Sequence, residues 1–324
     1  MPSFRTGRVT AILEARRGIQ RVEVDGEQAY VLTQLIGTVA VGDRVVMNTT
    51  AVELGLGTGG WHVVHWNLER DGWDEPGPGH EMKLRYTSLQ VDAGAAPGAI
   101  ADPRDLPEVP VVACFLHSQV AAVATALKGA APDARLAYVM TDGGALPIAM
   151  SDLVAALQGV GVIDTTVTAG HAFGGDREAV NVPHALDVAA DHDAIVVGMG
   201  PGSLGTGTAR GFTGLEVASV VDAAEAMRLR PVVALRYSEA DPRPRHLGVS
   251  HHTRTVLGMT SDAAVVAVPR GEPDPGVDQE VVEVDVPDVS DWPYTSMGRT
   301  VAEDRKFFEY AAAAGVYAAT CLVD

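Results

Sequence analysis

Residues 111–128 read VVACFLHSQVAAVATALK, and this stretch decides the fold. Its first part, Val111–Leu116, is a continuous apolar run of strand length, and its second part, Ser118–Lys128, has the length of a helix. Such a run is typical of a strand that is covered on both faces in a parallel sheet, where helices connect successive strands. The stretch therefore predicts the first strand and the first helical connection of an α/β domain.

The same alternation continues toward the end of the chain. Strands are predicted at Val111–Leu116, Arg135–Met140, Val162–Thr168, Ala194–Val197, Pro231–Arg236 and Ala263–Val268. The helices between them are predicted at Ser118–Lys128, Pro147–Gln158, Pro183–Ala190, Leu215–Met227 and His251–Leu257. With an edge strand at Glu280–Val286 and a closing amphipathic helix at Thr300–Ala319, the pattern predicts a doubly wound, mostly parallel sheet.

The beginning of the chain has a different pattern, in which short alternating runs follow one another without helices. These runs lie at 7–13, 19–24, 28–32 and 43–48, and Asp25-Gly26 is a hairpin signal. They predict a small antiparallel β-barrel over residues 1–75. Residues 76–109, which are rich in Pro, Gly, Asp and Ala, are predicted to connect the barrel to an α/β domain at 110–324.

The charge and the cysteine content limit the classes of partner and compartment. The 324 residues contain 24 basic and 42 acidic side chains, a formal net charge of −18. A field of this sign repels nucleic acid and anionic lipid, so neither is an expected partner. No signal-peptide core and no apolar stretch of about 18 residues occurs, and we expect a cytoplasmic protein. Cys114 and Cys321 are expected to be buried thiols, and homo-oligomerisation stays open.

Polar loops follow five successive predicted strands. They contain His117, Asp142, the run His171–Glu178, the run Gly200–Thr208, and the run Arg243–Arg254. In an open parallel sheet, ligands bind outside the carboxyl ends of the strands, where such loops converge. We therefore expect a ligand site at this edge.

The glycine-rich loop Gly200–Thr208 reads GPGSLGTGT. Glycine permits positive φ and close backbone approach, so that successive N–H groups can form a nest for an anion. No lysine follows as in GxxxxGK[ST], and the GxGxxG spacing belongs after the first strand of a dinucleotide fold rather than the fourth. We expect the loop to bind a phosphate or carboxylate, with a purely structural turn as the alternative. The predicted ligand-binding positions are Gly200, Gly202, Ser203, Gly205, Thr206, Gly207 and Thr208.

Three arginines and three histidines lie within the twelve residues from Arg243 to Arg254 of an otherwise acidic chain. Guanidinium groups bind phosphate or carboxylate through paired hydrogen bonds. Arg243, Arg245 and Arg254 are therefore predicted to supply positive charge to the same small anionic ligand. The alternative is that these arginines pair with the protein's own excess of acids.

The histidines and carboxylates at the strand ends suggest two kinds of chemistry. A histidine transfers protons near neutral pH when a carboxylate orients it, and the catalytic candidates are His171, Asp142, His246 and His251. Alternatively, such side chains ligate a divalent metal, and the candidate ligands are His117, Asp176, Glu178 and His252. None of these residues has a diagnostic metal-binding spacing, and no HExxH helix is present.

The combination of motifs resembles a bacterial family that is catalogued only as a domain of unknown function. The resemblance spans nearly the whole chain, and the segments that carry it are Gly55–Gly60, Thr141–Pro147, Gly170–Glu178, Gly200–Thr208 and Arg245–His252. It implies no activity, substrate or catalytic residue. From the residues alone we expect a hydrolase or group transferase that acts on a small anionic or phosphorylated metabolite, because no redox-cofactor fingerprint is convincing. The alternative is a non-catalytic sensor that binds such a ligand.

Overall fold

The computed structural model describes residues 2–57, 59–75, 77, 79, 81–94, 96 and 108–322. The chain divides into two compact units, residues 1–94 and 95–324. Much of the predicted connection at 76–109 lies outside the described residues, as does Thr58 of the glycine motif at 55–60. The domain boundaries therefore stay a prediction. No helix among the described residues is long and apolar enough to cross a membrane.

The first unit is a closed five-stranded barrel, as the alternating runs predict. Its strands are β1 (Phe4–Arg16), β2 (Ile19–Val24), β3 (Glu27–Leu32), β4 (Arg44–Asn48) and β5 (His62–Asn67). They close in the order β1-β2-β3-β5-β4, and every pair is antiparallel except β3 with β5. Asp25 and Gly26 have φ angles of 50° and 87° at the β2–β3 hairpin, the left-handed conformation that this dipeptide favours.

Short elements complete the first unit. They are the helices α1 (Thr33–Ile36) and α2 (Thr50–Glu53) and the antiparallel pair of β6 (Met82–Lys83) with β7 (Val91–Asp92). The alternate side chains of the barrel strands, among them Val22, Val24 and Val31, are fully buried and form its core. Alternation of this kind places one face of each strand inside the barrel.

The described residues of the second unit form one parallel sheet and two small antiparallel pairs. Its strands are β8 (Pro110–Cys114), β9 (Leu136–Thr141), β10 (Thr165–Ala169), β11 (Arg177–Ala179), β12 (Ala194–Met199), β13 (Arg230–Ala234), β14 (Tyr237–Ser238), β15 (Gly248–Val249), β16 (Val265–Pro269), β17 (Glu280–Val284), β18 (Thr295–Ser296) and β19 (Arg299–Thr300). Eight of them form a sheet in the order β11-β10-β9-β12-β8-β13-β16-β17. All neighbours in this sheet are parallel. The predicted α/β class is confirmed.

Strand β8, which contains the apolar run that begins at Val111, lies in the interior of the sheet between β12 and β13. Every residue of β8 is buried, Cys114 included, whereas Cys321 is only partly buried. The expectation of a buried thiol is thus correct for Cys114 and wrong for Cys321. Burial raises the pKa of the Cys114 thiol far above its usual range, so this thiol is chemically inert.

One strand of the sheet is missing from the predicted set. Strand β11 has only three residues, and its first two, Arg177 and Glu178, end the run from Gly170 to Glu178 that the sequence assigns to a loop. It pairs in parallel with β10, and Glu178 lies opposite Thr168. Three residues are too few for an alternating or continuous apolar pattern to be recognised in the sequence.

Helices cover both faces of the sheet, as a doubly wound sheet requires. They are α3 (His117–Ala130), α4 (Asp152–Gly159), α5 (Val182–Ala189), α6 (Val217–Ala226), α7 (His251–Leu257) and α8 (Arg305–Thr320). Helices α3 and α8 pack closely, because a Cβ atom on Gly315 would lie only 2.2 Å from the carbonyl oxygen of Val123. The closing helix begins at Arg305 rather than at the predicted Thr300, and turns occupy the residues before it.

Candidate functional site

A cavity of about 190 Å³ lies at the carboxyl ends of the central strands. Its walls come from the residue Leu116 after β8, from residues 200–212 after β12, here called the glycine loop, and from residues 236–252 after β13, here called the arginine–histidine segment. The lining residues are Leu116, Ser203, Leu204, Gly205, Gly207, Thr208, Gly211, Phe212, Arg236, Arg243, Arg245, His246, His251, His252 and Met297. The two segments that the sequence predicts to share a site therefore line one cavity.

Only part of the glycine loop faces this cavity. Gly200, Gly202 and Thr206 do not line it. A Cβ atom on Gly200 would lie 2.3 Å from the carbonyl oxygen of Ala145, and the N–H of Ala145 donates to Pro201 at 2.8 Å. Gly200 is therefore required for backbone packing between two loops, which is the structural alternative for this position.

Hydrogen bonds within the glycine loop occupy several groups that an anion nest would need. The N–H of Thr206 donates to the carbonyl of Gly211 at 2.7 Å, and the Thr206 hydroxyl lies 3.0 Å from the hydroxyl of Thr208. The N–H of Leu204 donates to Thr213 at 3.3 Å. The loop thus holds its own shape, and the residues of it that line the cavity are Ser203, Leu204, Gly205, Gly207, Thr208, Gly211 and Phe212.

Arginine side chains dominate the opposite wall, and most of them have acidic partners. Arg243 binds Asp241 through two hydrogen bonds of 2.9 and 2.8 Å. Asp241 also lies 3.8 Å from the buried Arg236 and 3.7 Å from Arg299. Arg299 in turn donates to Asp304 at 3.0 Å. Arg243 therefore pairs with an acid of the protein itself, which is the alternative to binding a ligand.

Arg245 is the exception in this group. It lines the cavity, is exposed, and forms no ion pair with any residue that the structure describes. This group thus contains four guanidinium groups, those of Arg236, Arg243, Arg245 and Arg299, and the carboxylates paired within it are those of Asp241 and Asp304. The cluster carries two positive charges in excess, within a chain whose overall charge is strongly negative.

Three histidine rings contact one another beside these arginines. The ring centroids of His246, His251 and His252 lie 4.4 to 4.9 Å apart. Phe212 from the glycine loop stacks on His252 with centroids 3.6 Å apart and nearly parallel planes. This stack holds the glycine loop against the arginine–histidine segment.

Hydrogen bonds define the tautomers of two of these rings. A guanidinium group can only donate, so Nδ1 of His252 accepts from Arg236 at 2.9 Å and the ring proton lies on Nε2. Nε2 of His246 likewise accepts from Arg245 at 3.4 Å, and Nδ1 of His246 donates to Ser250 at 2.7 Å. In His251, by contrast, Nε2 is buried and has no hydrogen-bond partner among the described residues.

Burial and the nearby arginines keep all three histidines neutral. Burial and the charge of Arg236 lower the pKa of His246 to about 3 and that of His252 to about 2. Burial and the charge of Arg245 lower the pKa of His251 as well. Asp241 behaves in the opposite way: burial disfavours its ionised form, but the hydrogen bonds from Arg243 hold its pKa well below the usual range.

The histidine cluster has the residue types of a metal centre but not its electrostatics. One ligand atom from each ring lies within 4.8 Å of the others. However, Arg236 and Arg245 each donate to a ring nitrogen. A histidine that ligates a metal normally donates its second ring N–H to a carboxylate or carbonyl, which increases the basicity of the ligating nitrogen. Here two guanidinium groups contact the rings instead, and their positive charges repel a cation. These residues do not fit a divalent metal.

The other predicted metal ligands lie apart from His252 and from the cavity. His117 has its Nδ1 3.0 Å from the carbonyl of Met199 and its Nε2 2.7 Å from the hydroxyl of Ser151. Asp176 accepts from the backbone and the hydroxyl of Thr166, and Glu178 accepts from Thr168 at 2.6 Å. Among the described residues, the group of side chains spaced for a metal ion is His246, His251 and His252, so the predicted set His117, Asp176, Glu178 and His252 is not brought together.

The predicted catalytic residues divide in the same way. His246 and His251 line the cavity, whereas Asp142 and His171 do not. Asp142 accepts from the backbone N–H of His171 at 2.9 Å. Burial raises the pKa of the neighbouring Glu216 to about 7, and the charge of Asp142 adds to this effect against the hydrogen bond from Thr141.

Arg254 also lies outside the cavity, contrary to the sequence-based expectation. It is exposed on α7 and donates to the carbonyl of Gly276 at 3.0 Å. Residues that the sequence did not select are Arg236, Phe212 and Asp241. An arginine directly after a buried strand, as Arg236 follows Pro231–Leu235, is the signal that could have identified the first of them.

The chain is thus a protein of two units: a closed barrel, and a parallel α/β unit with a cationic cavity at the carboxyl ends of its strands. The chain belongs to the family described as protein of unknown function (DUF3866), whose model matches residues 28–288. Every residue that lines the cavity except Met297 falls within that match. The chain matches no curated protein. The family description states no activity.

Proposed function

We propose that the cavity binds a doubly charged anion, the phosphoryl group of a small metabolite, and that the protein is a hydrolase or group transferase acting on this ligand. The observation that carries the proposal is the excess of two positive charges among Arg236, Arg243, Arg245, Arg299, Asp241 and Asp304. A phosphate monoester dianion neutralises this excess, and guanidinium groups bind phosphate oxygens through directed hydrogen bonds.

The size of the cavity limits the ligand. Pockets for drug-sized molecules have volumes of about 300–1,000 Å³, and this one has about 190 Å³. It therefore suits a phosphoryl group with a short carbon skeleton better than a complete dinucleotide. Leu116, Phe212 and Met297 provide apolar contact for such a skeleton.

His251 is the group best placed for proton transfer, because it lines the cavity and its buried Nε2 has no partner among the described residues. In hydrolysis of a phosphate monoester, a water oxygen bonds to phosphorus while the ester P–O bond breaks. The electron pair of that bond stays on the leaving oxygen, which takes a proton from the imidazolium form of His251 that the bound dianion stabilises. The proton that the attacking water loses returns to the ring, so the histidine is unchanged after one turnover.

The surroundings of the three histidine rings favour the alternative, a non-catalytic sensor. The rings of His246 and His252 accept hydrogen bonds from guanidinium groups, and no carboxylate among the described residues orients His251. A site of this kind binds an anion firmly even when no proton is transferred. The experiment must therefore measure binding and turnover separately.

Binding is tested with three-carbon phosphate monoesters, inorganic phosphate and, as a singly charged control, acetate. The variant Arg245→Gln removes the unpaired charge, and Arg254→Gln is the matched control outside the cavity. A hydrogen bond to a charged group contributes about 1.5–3 kcal/mol, so Arg245→Gln should weaken phosphate binding roughly ten- to hundredfold, while Arg254→Gln should not. Equal effects of the two variants, or no preference for dianions, would refute the site.

Turnover is followed by release of inorganic phosphate from the same esters. Release that is lost in His251→Gln supports the enzyme, and binding without release supports the sensor.

A further inference from the structure

We propose that the cavity takes up one proton together with each dianion, and that His251 accepts this proton. This inference rests on the proposed function, because it specifies how the same cavity binds its ligand. Proton uptake by His251 makes the affinity of the site for the anion depend on pH near neutrality, even when the anion itself does not titrate.

The arrangement of the rings identifies the acceptor. Both nitrogens of His246 are engaged, with Ser250 and Arg245, and Nδ1 of His252 is engaged with Arg236. The buried Nε2 of His251 has no partner among the described residues. An unpartnered buried nitrogen is costly, and a bound anion supplies the counter-charge that favours the protonated form of the ring.

The groups around His251 explain why it is neutral in the ligand-free cavity. The ring is packed against His246, His252 and the uncharged ring of Phe212. The charged groups that act on this cluster from the surrounding segments are Arg236, Arg243, Arg245 and Asp241. Burial and these arginines lower the pKa of His251.

A bound dianion reverses this balance. It neutralises the excess positive charge beside the ring, and an opposite charge within about 4–6 Å favours the protonated form of a histidine. Binding and protonation are linked reciprocally, so each promotes the other. Between the pKa of His251 in the free cavity and its higher pKa in the complex, the association constant should fall up to tenfold for each unit of rising pH.

Sulfate is the appropriate probe, because it remains a dianion throughout the range from pH 5 to 8 and cannot itself supply or take up the proton. Titration calorimetry in two buffers with different ionisation enthalpies gives the number of protons taken up, at constant ionic strength with chloride. We expect an uptake approaching one proton per sulfate for the wild type and almost none for His251→Gln. His65→Gln, in the barrel, is the control and should behave as the wild type.

The outcomes are distinct. Absence of sulfate binding at every pH refutes the proposed function itself. Binding without proton uptake, or with uptake that persists in His251→Gln, overturns this inference and leaves the proposed function standing. If His251→Gln does not fold, as judged by circular dichroism, His251→Asn replaces it, and the wild-type pH slope remains a test by itself. Stoichiometric binding of Zn²⁺ that His251→Gln abolishes would also overturn the inference.

Discussion

Asp241 is the acidic centre of the arginine cluster, and the variant Asp241→Asn should lower the stability of the second unit substantially. The side chain of Asp241 is 1% exposed, and it binds Arg243 through two hydrogen bonds while lying 3.8 Å from Arg236. The side chain of Arg243 is 39% exposed, so water solvates it when its partner loses the charge. The side chain of Arg236 is only 5% exposed and keeps a buried charge without compensation.

The magnitude follows from these two partners. A pair with an exposed member contributes about 0.5 kcal/mol, whereas removing one member of a buried pair costs about 3–5 kcal/mol. Because Arg236 lies 3.8 Å from the carboxylate rather than in direct hydrogen-bond contact, we expect a total near the lower end, about 3 kcal/mol. For a unit of this size that corresponds to a decrease in melting temperature of roughly 9 °C.

Thermal unfolding by circular dichroism measures this change, with Asp285→Asn as the matched control. Asp285 binds Arg270 through two hydrogen bonds of 2.7 and 3.2 Å, but both side chains are exposed. The control should therefore leave the melting temperature unchanged within error. Sulfate should restore part of the stability lost in Asp241→Asn, because it replaces the missing negative charge. A melting temperature within 2 °C of the wild type, or no effect of sulfate on the variant, would refute the assignment of Asp241 as the group that compensates Arg236.

Two further predictions concern packing and pH. Gly315→Ala should destabilise the protein by about 3 kcal/mol, since the new Cβ atom would lie 2.2 Å from the carbonyl oxygen of Val123. The control is Gly129→Ala in α3, where no atom lies within 4 Å of the Cβ position; it should stabilise the protein by about 0.5–1 kcal/mol. If chemical denaturation gives the same change in unfolding free energy for both variants, the close contact between α3 and α8 is contradicted. Burial, with the charge of Asp142, raises the pKa of Glu216 from 4.5 to about 7, so stability should fall as the pH rises from 4.5 through 7. Glu216→Gln removes this loss, and its stability should match the wild type at pH 4 and exceed it at pH 8 by about 3 kcal/mol, which a pH series of unfolding curves tests.

The sequence predicts most of the fold because its signals are local. The apolar run at Val111–Leu116 and its successors identify interior strands, and Asp25-Gly26 marks the barrel hairpin. The order of the strands in the sheet does not follow from local pattern, since each parallel neighbour is set by a crossing connection. Strand β11 was missed because it is short and gains its identity from pairing with β10.

The location of the candidate site was predictable, but the partners of its side chains were not. The carboxyl ends of parallel strands indicate where loops converge, and this rule places the glycine loop beside the arginine–histidine segment. It does not indicate that Arg243 turns to Asp241 two residues earlier, or that Arg254 turns to the carbonyl of Gly276. A long arginine side chain can reach several partners, near or distant in the chain, and only three-dimensional packing determines which one it binds.

The central position of β8 has a consequence for the newly synthesised protein. Both neighbours of this wholly apolar strand are encoded downstream, and the nearer of them, β12, begins about 80 residues after β8 ends. At a translation rate of roughly 5–20 residues per second, β8 leaves the ribosome several seconds before any strand can pair with it. The barrel, whose first three strands pair in succession, faces no such delay. Chaperone demand during synthesis should therefore be greater for the second unit than for the barrel.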